Sequence, residues 1–170
     1  LKLLMLDRRN SDTYHLGDII GPRCNAAGRL GSPESALELL LTADAGRAGV
    51  LARELEEVNG RRVALERATS DRVREAAERL FDPASDRCVV VGLDDLHTGV
   101  IGLAASRLCS AYTRPSIVVS FGRDGMGKGS GRSIARLDLV AALREGADLL
   151  VDFGGHTAAA GLSVRREKFD

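Results

Sequence analysis

The chain of 170 residues carries 24 Lys and Arg against 24 Asp and Glu, so no global field draws it to nucleic acid or to an anionic surface, and any anion site must be local. With 44% hydrophobic residues it has material for one or two domains, and no apolar run is long enough to cross a bilayer. Its three cysteines, Cys24, Cys88 and Cys109, fit no C-x-x-C zinc or redox spacing, which suits reduced thiols and a cytoplasmic location.

In chain order, residues 1–9 read as the tail of a helix without a preceding cap, and residues 10–33 as largely loop. Pro33 fits the first turn of a helix capped by Ser32 and running to about Thr42, with Leu37, Leu40 and Leu41 at helical spacing. A long helix follows over about 45–80. Leu51, Leu55, Val58, Leu65, Val73, Ala76 and Leu80 mark its apolar stripe, weakened in the middle by Gly60 and Arg62. At 1.5 Å per residue it would span roughly 50 Å, the length of a strut between domains. A coiled coil is the alternative, but clean heptads are few. From Arg87 the pattern becomes short apolar runs. Strands are expected at 88–91, 116–120, 127–133 and 162–164, and helices at 99–112 and 138–150. That order is an α/β domain with a mixed sheet. Residues 165–170 look like an element that stops, so both ends read as cut from a larger protein.

Three glycine-rich clusters carry the chemistry. The first is Gly21-Pro22-Arg23-Cys24-Asn25-Ala26-Ala27-Gly28-Arg29-Leu30-Gly31, read as a loop whose Arg29 and Asn25 can grip phosphate or a base edge. Cys24 has no base beside it and reads as a packing residue. The second, Gly125-Met126-Gly127-Lys128-Gly129-Ser130-Gly131-Arg132-Ser133, alternates glycines with Lys128, Ser130 and Arg132. It lies in the only clearly cationic stretch, with Arg123 and Arg136 on either side. The spacing of a phosphate loop is absent, which excludes a nucleotide triphosphatase. The third, Gly154-Gly155-His156-Thr157-Ala158-Ala159-Ala160-Gly161, reads as a loop opening into a short helix whose free N–H groups suit an anion. Asp94-Asp95-Leu96-His97 has metal-ligand residue types, but a turn and helix cap, with the carboxylates at the helix start, is the preferred reading.

These clusters, together with His97-Thr98-Gly99-Val100-Ile101-Gly102 and Phe153-Gly154-Gly155-His156, resemble RecJ-type single-strand-specific exonucleases of the DHH/DHHA1 phosphoesterase superfamily in order and spacing along nearly the whole chain. The last cluster is shared more widely, by the DHHA1 domains of small phosphodiesterases and of alanyl-tRNA synthetase. The 21–31 cluster is much more specific to the RecJ branch. Leu96 departs from the family, which usually has a tryptophan there.

The resemblance implies a DHHA1-like mixed sheet flanked by helices and preceded by a long connecting helix. It divides the chain into 1–44, a remnant of the DHH domain and linker, 45–82, the connecting helix, and 83–170, the substrate-binding domain. It implies a 5′→3′ exonuclease for single-stranded DNA whose Mn²⁺ or Mg²⁺ is held by a DHH portion absent from this sequence. No metal ligand and no catalytic residue are expected in the fragment. Arg29, Ser130, Arg132 and Ser133 would hold backbone phosphates, with Gly154, Gly155 and His156 lining the cleft and Asn25, His97 and Lys128 in secondary roles. DNA repair proteins are further partners it suggests. Two alternatives stand beside this: a DHH phosphodiesterase for cyclic dinucleotides or short oligonucleotides, and a nucleic-acid-binding module without hydrolysis.

Overall fold

The computed structural model describes Leu4, Arg9 and residues 11–169. The helix expected over 1–9 therefore lies outside the described residues, apart from those two positions. The chain forms two compact units, Leu1–Ala64 and Leu65–Asp170, and the division falls inside a long helix.

In the first unit, the segment expected to be loop is helical. A π-helical segment, His15–Ile20, runs into α1, Gly21–Leu30. Pro22 is tolerated because it sits in the opening turn of α1, where a missing N–H costs nothing, and the Gly21 N–H closes the wider turn onto the Leu16 carbonyl. Packing then decides the matter: Ala26 and Ala27 are buried, and Ala27 joins Ala36 and Leu55 in a small core with Cys24 and Leu39 against it. Gly31 ends the helix. The next helix, α2, spans Glu34–Leu41, with Pro33 as its cap residue and the Ser32 hydroxyl accepting from the Glu34 N–H.

The long helix, α3, is continuous over Ala45–Leu80. Asp44 accepts from the Gly46 and Arg47 N–H groups ahead of it. Of the expected stripe, Leu51, Leu55, Val73 and Ala76 are buried, whereas Leu80 is 66% exposed. Asn59, Glu66 and Thr69 are buried on the same helix. Glu66 is compensated in the second unit by Arg107, whose Nη2 lies 2.6 Å from its Oε1. Gly60 does not break the helix. Nothing lies within 4 Å of a Cβ built on it, so Gly60→Ala should stabilise the chain by up to about 1 kcal/mol. A thermal melt followed by circular dichroism checks this: the midpoint should rise.

The second unit continues with β1 (Val89–Asp94), α4 (Thr98–Tyr112), β2 (Ser116–Phe121), β3 (Met126–Arg132), α5 (Leu139–Glu145), β4 (Leu150–His156) and β5 (Ala159–Arg165). The strands form one mixed sheet in the order β1-β2-β3-β5-β4, parallel only between β1 and β2. The β-branched runs end as the interior of this sheet. On one face, Val89, Val91 and Val118 pack against Val73, Ala76 and Ala77 of α3 and against Ile101, Ala104, Ala105 and Leu108 of α4. Leu96, in the position where a tryptophan was the family's habit, fills this core and is 6% exposed. On the other face, Val119, Phe121, Leu162 and Val164 pack with Leu143, Phe153 and Phe169.

Two expectations need correction here. The helix expected over 138–150 stops at Glu145, because Gly146 ends it and a 3₁₀ turn, Ala147–Leu149, leads into β4. The loop and short helix expected over 154–161 are instead a β-hairpin: β4 and β5 pair antiparallel with His156 opposite Ala159. The three alanines favour a helix in isolation, but ladder pairing and burial of Ala160, Leu162 and Val164 override that weak local preference.

Candidate nucleic-acid interface

Strand β3 sorts the second glycine cluster by its two-residue period. Gly127, Gly129 and Gly131 face Val119, Phe121, Leu162 and Leu139, where an added Cβ would come within 2.6–2.8 Å of those side chains. Lys128, Ser130 and Arg132 therefore share the opposite face. Their register partners continue that face across the sheet: Ser163 and Asp152 beside Lys128, Gly161 and Gly154 beside Ser130, Ala159 and His156 beside Arg132. The outcome is a polar margin on β3 and a floor of glycine and alanine over β5 and β4.

This floor is open. A Cβ on Gly154 would meet nothing within 4 Å, and one on Gly161 would meet only the Gly129 carbonyl, at 4.0 Å. Packing thus gives no reason for glycine at either position. Bare backbone does let an extended ligand lie flat against the sheet. At the margin, the Lys128 ammonium donates to the Ser163 hydroxyl at 3.3 Å. Arg132 Nη1 donates to Ser130 Oγ at 3.0 Å and to the Gly131 carbonyl at 2.7 Å. The guanidinium lies against α4, where burial pushes the Cys109 thiol up and the Arg132 charge pulls against that shift. Burial pushes the Cys88 thiol up to about 11, so it is protonated at neutral pH and not a nucleophile.

His156 is exposed at the end of β4, beside the hairpin turn, its Nδ1 accepting from the Ala158 N–H at 3.3 Å. The other expected residues are placed differently. Gly155 pairs with Ala160 and belongs to the face away from His156. Its backbone has φ +148°, and a Cβ there would fall 2.3 Å from the Ala159 carbonyl, so its glycine serves the hairpin's shape. Ser133 lies beyond β3 and donates to the Leu137 carbonyl at 2.9 Å. His97, not an aspartate, caps α4, its Nδ1 accepting from the Gly99 N–H at 3.1 Å. The cationic stretch does not act as one patch: Arg123 lies in the β2–β3 turn and Arg136 in the loop beyond β3, at opposite ends of that strand.

In the first unit, Asn25 is exposed on α1 and Arg29 sits in its last turn. Arg23 is committed elsewhere, with Nε 2.5 Å and Nη2 3.2 Å from the Glu56 carboxylate and Nη1 on the Ile19 carbonyl. Sequence reasoning missed Asp152, Ser163 and Gly161 as members of the polar face. Ser163 and Gly161 reach that face through the β3–β5 register, and Asp152 through the pairing of β5 with β4, a strand that was not expected.

The profile of the DHHA1 domain matches residues 85–170, and the chain belongs to this family. It is 42% identical over 150 residues to the single-stranded-DNA-specific exonuclease RecJ of Thermus thermophilus, an alignment covering 88% of this chain and 21% of that protein. Crystal structures of RecJ from Thermus thermophilus in complex with Mg²⁺ and with Mn²⁺ each superpose with a TM-score of 0.79 at 40% identity. They cover 91% of this chain and 24% and 22% of the crystallised ones. The chain therefore spans less than a third of the length of the curated relatives it matches. Among the described residues, no helix is long and apolar enough to cross a membrane.

Proposed function

We propose that this chain is the substrate-binding region of a metal-dependent 5′→3′ exonuclease that hydrolyses single-stranded DNA, acting in the cytoplasm alongside DNA repair proteins. The observation that carries this reading is the open face of the sheet: Lys128, Ser130 and Arg132 stand along one strand, and a bare floor leads from them to His156. Such a surface can hold a nucleic-acid backbone by its phosphates without reading bases, which suits a nuclease that must accept any sequence. The aromatic content of 4% leaves little for base stacking, which agrees with capture through phosphates.

In this reading the chain's residues bind and orient. Arg132 and Ser130 grip a backbone phosphate, Lys128 neutralises its neighbour, and Gly154 with Gly161 lets the strand approach. His156 hydrogen-bonds a phosphate or sugar oxygen at the far side of the floor. Within the first unit, Arg29 is a phosphate-binding residue in its own right, with Asn25 beside it in a supporting role; within the second, Ser133 supports the grip and His97 holds the start of α4. The domain division proposed from the family, 1–44, 45–82 and 83–170, gives the last segment this binding task.

Divalent ions supply charge neutralisation and an activated water in such hydrolysis. Among the described residues no group of three or more His, Cys, Asp or Glu side chains is placed to hold one. In this reading the ions are held by a DHH portion of a longer protein. Purified chain, incubated with labelled single-stranded DNA and Mn²⁺, should release no mononucleotides, whereas the full-length protein should. Metal-dependent release by the chain alone would overturn the division of labour. In the full-length protein, His156→Ala should slow turnover about tenfold, the value of one hydrogen bond to a charged group, while bound-metal content stays the same. A fall in metal content would move His156 into the metal centre.

A further inference from the structure

Gly102 lies in the second turn of α4 and is buried. A glycine inside a helix costs roughly 1 kcal/mol relative to alanine, and this one has no positive φ to account for it. The three atoms nearest a Cβ built at this position all belong to two residues of the polar margin. Arg132 Nη2 would be 2.8 Å away, Ser130 Oγ 3.0 Å and Arg132 Cζ 3.5 Å. A methyl group at this position would therefore meet the tip of an arginine and a serine hydroxyl before any sheet backbone. The glycine's missing side chain is the slot in which the guanidinium of Arg132 lies.

We propose that Gly102 is a positioning residue for the phosphate grip, setting the plane of the Arg132 guanidinium from the helix side while Ser130 and the Gly131 carbonyl fix it from the strand side. This rests on the phosphate-binding reading of Arg132. A methyl group at position 102 displaces the flexible tip of an arginine, not a rigid element. The helix should gain from alanine while the grip loses its geometry. Stability and binding are then expected to move in opposite directions, which a merely structural glycine would not produce.

The test is a double-mutant cycle in the full-length protein with Gly102→Ala, Arg132→Ala and the pair. Each variant is measured for its melting temperature and its dissociation constant for a fluorescently labelled oligo(dT). Gly102→Ala should melt at or above the wild-type temperature and bind about tenfold more weakly, and it should have no further effect on binding once Arg132 is alanine. Wild-type binding by Gly102→Ala, or a loss that adds fully to that of Arg132→Ala, would overturn the positioning role. If Gly102→Ala melts lower, the double variant decides: recovery of the melting temperature supports the slot, and persistent loss places the clash elsewhere and sinks it. Wild-type binding by Arg132→Ala refutes the phosphate reading itself, separately from the role of Gly102.

Discussion

Replacing Arg132 by alanine in the full-length protein is expected to weaken single-strand capture tenfold to a hundredfold, because a charge-assisted hydrogen bond is worth roughly 1.5–3 kcal/mol. Arg132 is half-buried between β3 and α4, and its guanidinium is already anchored at Ser130 Oγ and the Gly131 carbonyl. Little ordering entropy remains to be lost when a phosphate arrives. Lysine would keep the charge but not the planar fork, so Arg132→Lys should recover only part of the affinity. The salt dependence gives a second readout. Loss of one phosphate contact to a single strand should reduce the slope of log K against log salt by about 0.7. A melting curve must accompany the assay. Wild-type affinity and slope in a folded Arg132→Ala variant would end the phosphate assignment.

The second large effect separates two neighbouring glycines. Gly155→Ala should destabilise the second unit by about 3 kcal/mol or more, since φ +148° is strained for any side chain and the new Cβ would overlap the Ala159 carbonyl and the Ala160 Cα. At this chain length that corresponds to a fall in melting temperature of roughly 6–12 °C. Gly154→Ala should change stability by no more than about 0.5 kcal/mol, because its Cβ would stand in open space. Yet that methyl group stands on the floor where the strand is proposed to lie, and a displacement of about 1 Å can cost up to about a hundredfold in turnover. Thermal melts and exonuclease assays of both variants in the full-length protein decide it. A Gly154→Ala enzyme with wild-type turnover would show that the floor is not used.

Much of the second unit was legible before any coordinates. The runs around Val89–Val91 and Ile117–Val119, and the helix over Thr98–Tyr112, are local patterns of β-branched and helical spacing that burial reinforces. The long helix was legible for the same reason. Its 36 residues hold no proline; two of its three glycines, Gly46 and Gly49, lie in its opening turns, and the third, Gly60, is tolerated mid-helix. The site was legible as a set of residues but not as a surface. Lys128, Ser130 and Arg132 announce themselves by alternating with glycine. Their assembly with His156, Gly161 and Asp152 depends on strand pairing between segments about 30 residues apart.

What the sequence determined by itself was the α/β class, the long helix and the alternation of Lys128, Ser130 and Arg132 with glycine, all set by spacing within a few residues. Tertiary structure alone decided the rest. Residues 21–30 are rich in signals that favour a loop, yet burial of Ala26 and Ala27 makes them a helix. The segment from Gly154 to Gly161 favours a turn and helix locally, yet pairing with β3 makes it a hairpin. Gly102 shows the same limit, since nothing in the helix around it reveals that an arginine 30 positions later fills the space of its missing side chain. Local preferences are worth about 1 kcal/mol per residue or less, and burial or ladder formation across a whole element outweighs them.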